Sequence, residues 1–114
     1  MHIQFNSDSS VMGTEDVANR IEAQVRERLA RFEDRLTRLE VHVRDENAAK
    51  GGGDDKVCVI EARPRSGSPL SATANAADVD TAARSAATKL GKLLDTQFGK
   101  AERHSRDPSP DKII

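Results

Sequence analysis

Tryptophan and tyrosine are absent from this 114-residue chain, and only three phenylalanines are present. A deep, aromatic-lined pocket for a small-molecule substrate is therefore not expected. Alanine and the aliphatic residues must fill the core, which favours helices packed closely on a sheet. There is one cysteine, Cys58. It can form no internal disulfide, and a lone thiol suits a reducing compartment. No apolar run approaches the roughly 20 residues of a membrane span. The N-terminal stretch MHIQFNSDSS lacks the basic start and apolar run of a signal peptide. A soluble, cytoplasmic protein with no membrane contact is the expectation. A surplus of one charge is missing too: 18 Lys and Arg stand against 19 Asp and Glu, for a net charge of −1. Dedicated nucleic-acid binders usually carry a basic excess. Any such role here must rest on where the charges sit.

What is present is periodicity. The length suits one domain, expected over residues 1–102, with 103–114 as a flexible tail holding two prolines and no pattern. Ile3 and Phe5 alternate with Gln4 and Asn6, a short strand signal. Thr14 suits an N-cap, with Glu15 and Asp16 in the first turn. Val17, Ile21, Val25, Leu29, Phe32 and Leu36 follow at spacings of three and four, predicting an amphipathic helix from about 15 to 35. Leu39, Val41 and Val43 alternate with Glu40, His42 and Arg44, a half-buried strand.

The polar segment 46–55 reads as a flexible loop. A strand follows over 56–63, where the unbroken run Val57, Cys58, Val59, Ile60 leaves its core-facing side undecided. A turn comes next over 64–69. Leu70, Ala72, Ala74 and Ala76 then form a fourth strand with small side chains on one face. Asp78 caps a second helix whose apolar face carries Val79, Ala82, Ala83, Ala86, Leu90, Leu93, Leu94 and Phe98. Gly99 is expected to end it. The order β-α-β-β-β-α packs most economically as an α+β fold, with two helices on one face of a mostly antiparallel four-stranded sheet.

No constellation of reactive groups stands out, so an enzyme is not expected. Cys58 reads as a buried inert thiol, without a motif that places His2, His42 or His104 beside it as a base. His42 points to the less apolar side of its strand, and no second ligand stands at a metal-site spacing. Gly51-Gly52-Gly53 is followed by two aspartates instead of the Lys-Ser/Thr of a phosphate loop. The aspartates of 107–111 lack the spacing of a calcium loop. No metal and no cofactor are expected.

Charge placement gives the one positive lead. On a helical wheel Arg20, Gln24, Arg28, Arg31 and Arg35 form a strip beside the apolar stripe of the first helix. Lys89, Thr96 and Lys100 share an edge of the second, with Lys92 adjacent. Side by side, these strips would make a basic seam able to hold phosphates without reading sequence. The competing reading is a solvated helix face with routine Glu–Arg pairing.

The element order, with Leu29-Ala30-Arg31-Phe32-Glu33 closing the first helix, resembles the bacterial ribosome hibernation-promoting factors and ribosome-associated inhibitors. Leu39-Glu40-Val41-His42-Val43, then Leu70-Ser71-Ala72-Thr73-Ala74, Asp78 and Lys89-Leu90, are similar to that family's motifs in the same order, over about residues 1–100. The resemblance implies a fold like double-stranded-RNA-binding domains and a site in the decoding region of the small ribosomal subunit. There the domain would block tRNA and mRNA and hold idle ribosomes silent in stress and stationary phase. It also implies RNA contacts from Arg28 and Arg31 on the first helix and Lys89 and Lys92 on the second. Asp34, Asp80 and Thr96 stand where the family often carries basic or aromatic residues. Longer members add a C-terminal dimerisation domain, and this chain resembles the short class. The alternative function is a protein-interaction or regulatory module on the same scaffold that makes no RNA contact.

Overall fold

The computed structural model describes residues 1–7, 15–45 and 56–106. Its elements are β1 (His2–Ser7), α1 (Glu15–Arg28), a 3-10 segment (Ala30–Arg35), β2 (Leu36–Asp45), β3 (Lys56–Pro64), β4 (Leu70–Ala76) and α2 (Val79–Arg106). The four strands lie in sequence order, β1-β2-β3-β4. β2, β3 and β4 form antiparallel pairs, while β1 runs parallel to β2 with Ile3 opposite Leu39 and Phe5 opposite Val41. The parallel pair follows from α1, which supplies the long crossover that parallel neighbours require.

Alternation along the strands sorts the side chains onto two faces. Ile3, Leu39, Val41, Val43, Cys58, Ile60, Ala62, Ala72, Ala74 and Ala76 are buried in one cluster with Ile21, Val25 and Leu29 of the first helical arm and Leu90 and Leu94 of α2. The ambiguous run in β3 is thereby resolved, because Cys58, Ile60 and Ala62 face the helices. Both helices pack on that face, as expected. Burial pushes the Cys58 thiol up to about 12, which keeps it protonated and unreactive. Ala82, Ala83, Ala86 and Ala87 on α2 are buried along with the alanines of β4. Small side chains on both surfaces are what let this helix lie close to the strand.

Three boundaries differ from the sequence reading. The helix expected over 15–35 stops at Arg28, and a tighter 3-10 segment takes its place. Leu29 still donates to Val25 O at 3.0 Å, but Phe32 donates to Leu29 O, also at 3.0 Å, an i→i+3 bond. The tighter winding keeps Leu29 and Phe32 buried while turning the chain into β2. β2 accordingly begins at Leu36, which the helical stripe had absorbed, and the ladder shifts register between Leu36 and Arg38.

Gly99 does not end α2, which continues to Arg106. A single glycine costs a helix only about 1 kcal/mol, and nothing lies within 4 Å of where its Cβ would be. The proposed Thr14 cap and the 46–55 loop lie outside the described residues. Gly67, in the turn between β3 and β4, has φ +103°, a conformation that favours glycine.

Asp78 does cap α2: Thr81 N donates to its Oδ1 at 2.7 Å. Those bonds to Thr81 hold the Asp78 carboxyl below the usual carboxylate range. Asp80, two residues on, is lowered as well, chiefly by its hydrogen bond from Arg20. A carboxyl whose folded pKa is depressed contributes its stability fully above its unfolded value and loses it as pH falls through the folded one. With an ordinary value near 3.8 for both groups, the melting temperature is expected to fall as pH drops below about 4. The variant Asp78→Asn with Asp80→Asn should melt lower at neutral pH and show a shallower acid limb. Parallel acid limbs for the two proteins would contradict the assignment.

Candidate nucleic-acid interface

α1 and α2 lie against one another along their exposed edges, and a groove runs between them. Two adjoining depressions of about 390 and 400 Å3 mark it. One is lined by Arg28, Arg84, Ser85, Thr88 and Lys89. The other is lined by Arg28, Arg31, Ala87, Thr88, Gly91, Lys92 and Asp95. Five cations and one acid line a groove in a chain whose net charge is −1.

The positions follow from helical spacing. Gln24 and Arg28 on α1 and Arg31 in the 3-10 segment recur at intervals of four and three, beside the buried Ile21, Val25 and Leu29. On α2, Arg84, Thr88, Gly91 and Asp95 recur at four, three and four. Gly91 is buried, and a Cβ there would lie 3.2 Å from Arg31 Nη2 and 3.7 Å from Leu29 Cδ2. A bare backbone at this position leaves room for Arg31 to cross to the facing helix.

The arginines are not equivalent. Arg20 Nε and Nη2 donate to Asp80 Oδ1 and Oδ2 at 2.9 and 3.0 Å, a two-pronged pair. Gln24 Nε2 adds a third bond to Asp80 at 3.0 Å. The carboxylate beside it raises the Arg20 pKa further, first through the hydrogen bond itself. Arg31 Nη2 donates to Asp95 Oδ2 at 2.9 Å, and its guanidinium lies 4.4 Å over the Phe32 ring.

Among the described residues, the Arg28 side chain donates to the Thr88 hydroxyl alone, at 3.5 Å. Arg84 bonds Gln24 Oε1 at 3.1 Å and Thr81 Oγ1 at 3.3 Å, both neutral groups. Lys89 Nζ donates to the backbone carbonyl of Thr73 on edge strand β4, at 3.1 Å. Among the described residues, no carboxylate pairs with Arg28, Arg84, Lys89 or Lys92.

The structure thus brings Arg28, Arg31, Lys89 and Lys92 together along the groove and puts Arg20 at one end, engaged by Asp80. Arg35 is set apart from it. Its guanidinium lies 4.2 Å over Phe98, in a separate depression of about 270 Å3 with Asp34, Arg65 and Ser66. The backbone of Lys100 lies within α2, and its side chain is outside the described residues. Arg84 also lines the groove, although it lies outside the set of cations expected from the sequence, on an edge of α2 next to that of the lysines. Its signal was the interval of four to Thr88 and then three to Gly91, on the face turned toward α1.

The opposite face of the sheet is a different surface. There Glu40 is met by Arg38 at 3.1 Å, His42 at 3.4 Å and Arg63 at 3.8 Å, and Arg63 also reaches Glu61 at 3.4 Å. Acid and base alternate along β2 and along β3, with Glu40 opposite Glu61 and Arg38 opposite Arg63, and the contacts along the strands and on the diagonal leave charge there locally balanced.

Residues 12–102 match the family described as Sigma 54 modulation protein / S30EA ribosomal protein. The chain belongs to this family. Membership makes it a ribosome-associated protein and bears out the resemblance seen in its motifs. Solved structures share the fold, two of them as follows. A ribosomal subunit interface protein from Coxiella burnetii superposes with a TM-score of 0.70 at 17% identity, covering 87% of this chain and 99% of that one. The N-terminal domain of Protein Y from Thermus thermophilus gives 0.67 at 18% identity, covering 85% and 99%. No curated protein sequence matches the chain. No helix among the described residues is long and apolar enough to cross a membrane, and no group of three or more potential metal ligands occurs among them.

Proposed function

We propose that this protein binds the small ribosomal subunit in the cytoplasm, near the decoding region, and silences it by occupying the space that tRNA and message need. The observation that carries the reading is the convergence of Arg28, Arg84, Lys89 and Lys92, none with a carboxylate within 4 Å among the described residues, in one groove of a ribosome-associated domain. The mechanism is occlusion, and it needs no reaction. A rigid domain held by helix-borne cations against RNA phosphates excludes other ligands from the same surface. The sheet behind the helices fixes their spacing, so the cations keep their places without the bound RNA. Family membership and this surface support the small-subunit site, the decoding-region placement and the blocking of tRNA and mRNA as the reading to test.

Sedimentation of the purified protein with small subunits through sucrose gradients at increasing salt tests the proposal. Co-sedimentation is expected at roughly 50 mM salt and should weaken by at least tenfold by roughly 200 mM, as phosphate contacts give way to counterions. No co-sedimentation at the low salt would overturn it. Binding that hardly changes with salt would overturn the phosphate mechanism and point to a protein partner on an apolar interface, the reading that Asp80 and the near-neutral charge favour.

A further inference from the structure

Two of the seam's arginines already hold an anion, and both anions come from α2. Asp80 reaches across to Arg20 and Asp95 to Arg31. The acids are 15 residues apart on one helix, roughly 22 Å at the helical rise. Between them the facing positions are Arg84, Thr88 and Gly91, none of them acidic, and Arg28 lies opposite Thr88. The seam is therefore bare in its middle and internally neutralised toward its ends. Asp95 is 57% exposed, whereas Asp80 is more enclosed, at 28%.

We infer that Asp80 and Asp95 are internal counter-ions that set how tightly the seam holds an RNA phosphate backbone. A phosphate approaching Arg20 or Arg31 must displace a carboxylate already seated there, so each acid removes one cation from the binding surface without removing it from the fold. Guanidinium pairs with phosphate by the same two-pronged geometry it uses with carboxylate, which makes the two anions direct competitors for Arg20. The ends differ in strength. Asp80 accepts two bonds from Arg20 and one from Gln24, whereas Asp95 accepts one bond from Arg31 between two half-exposed side chains. Exposed pairs of the second kind hold weakly, so phosphate displaces Asp95 more readily than Asp80. The chain's low net charge and its basic groove then have one explanation: association is graded and reversible by construction.

The inference rests on the proposed ribosome binding, and the test keeps the two apart. Affinity for purified small subunits is measured as a function of salt for the natural protein, Asp80→Asn, Asp95→Asn and the double variant. Asparagine preserves shape and one acceptor oxygen while removing the charge. Each freed arginine should add one phosphate contact, so the slope of log affinity against log salt should steepen by about 0.7 to 0.9 per variant and by about twice that in the double. Affinity near 0.1 M salt should rise about tenfold or more in the double variant, with the larger share from Asp80→Asn.

A natural protein that binds, with variants that bind no tighter and show an unchanged slope, would overturn the counter-ion role alone. Variants that bind more weakly at every salt would show the acids to be clamps on the helix pair, and would overturn it equally. A natural protein that does not bind at all would overturn the functional reading and this inference with it. Asp95→Asn, on an exposed mid-helix position, keeps the test alive if loss of Asp80 from the first turn of α2 unfolds the chain.

Discussion

The variant Arg28→Glu with Lys89→Glu is expected to lose association with small ribosomal subunits by at least about a hundredfold while melting within a few degrees of the natural protein. Both side chains are exposed and line the same depression. Neither is engaged by a carboxylate among the described residues, so reversing them strands no opposite charge, and the partners they leave are the exposed Thr88 hydroxyl and the Thr73 carbonyl of an edge strand. Exposed substitutions of this kind ordinarily move stability by about 0.5 kcal/mol or less. Binding is another matter. Two attractive contacts become two repulsions against phosphate, and like-charge juxtaposition across an interface costs several kcal/mol, with each 1.4 kcal/mol a factor of about ten. Co-sedimentation at low salt and a thermal melt, measured on the same preparation, decide the outcome. A folded variant that still travels with small subunits would remove these two residues from the interface. A control on the opposite sheet face is Arg63→Gln, which removes a cation beside Glu40 and Glu61 and should leave binding unchanged.

How far the sequence alone exposes this surface depends on the element. The stripe Val17 to Phe32 announces a buried helical face, and the alternation of β2 and β4 announces two strands, because one face of each is committed to the core and the pattern has no freedom to blur. The end of α1 is not legible in the same way. Leu29, Phe32 and Leu36 fit a 3.6-residue period, yet only the first two belong to helical turns. A 3-10 segment and the first residue of a strand can present the same apolar spacing. Gly99 is a poor signal for the opposite reason: a helix already packed on a sheet tolerates one glycine.

The parallel pairing of β1 leaves no trace in β1 itself and follows only from the crossover. The seam is legible as a set of cations, since Arg28, Arg31, Lys89 and Lys92 all recur at helical intervals. Their inequality is not, because Asp80 meets Arg20 across 60 positions of sequence and Asp95 meets Arg31 across 64. Helix propensity and periodicity are local; the partner of a surface arginine is a property of the packing.

That dependence on packing can be tested at one residue. Leu29→Ala should destabilise the domain by about 2–5 kcal/mol, a large part of the roughly 5–15 kcal/mol that holds a domain of this kind together. Leu29 is fully buried, and it sits where α1 gives way to the 3-10 segment, its carbonyl accepting from Phe32 N and its own N–H donating to Val25 O. Its side chain reaches Gly91 on the facing helix, so truncation opens a void between the two helices at the level of Arg28 and Arg31. The wall opposite is a glycine backbone, which has no side chain to move into the space, and for that reason the cost should fall in the upper half of the range.

Urea unfolding followed by circular dichroism measures it. The midpoint should drop steeply with little change in slope, since the surface exposed on unfolding is nearly the same. A loss below about 1 kcal/mol would mean that the junction is loosely packed and that α1 and α2 are not locked at this point. The contrast with Arg28→Glu, one position earlier and exposed, is the sharper result. Adjacent residues should separate cleanly, one carrying the fold and the other the grip on RNA. Only a helix whose buried face is fully committed to the core can present its other face as a fixed array of charge.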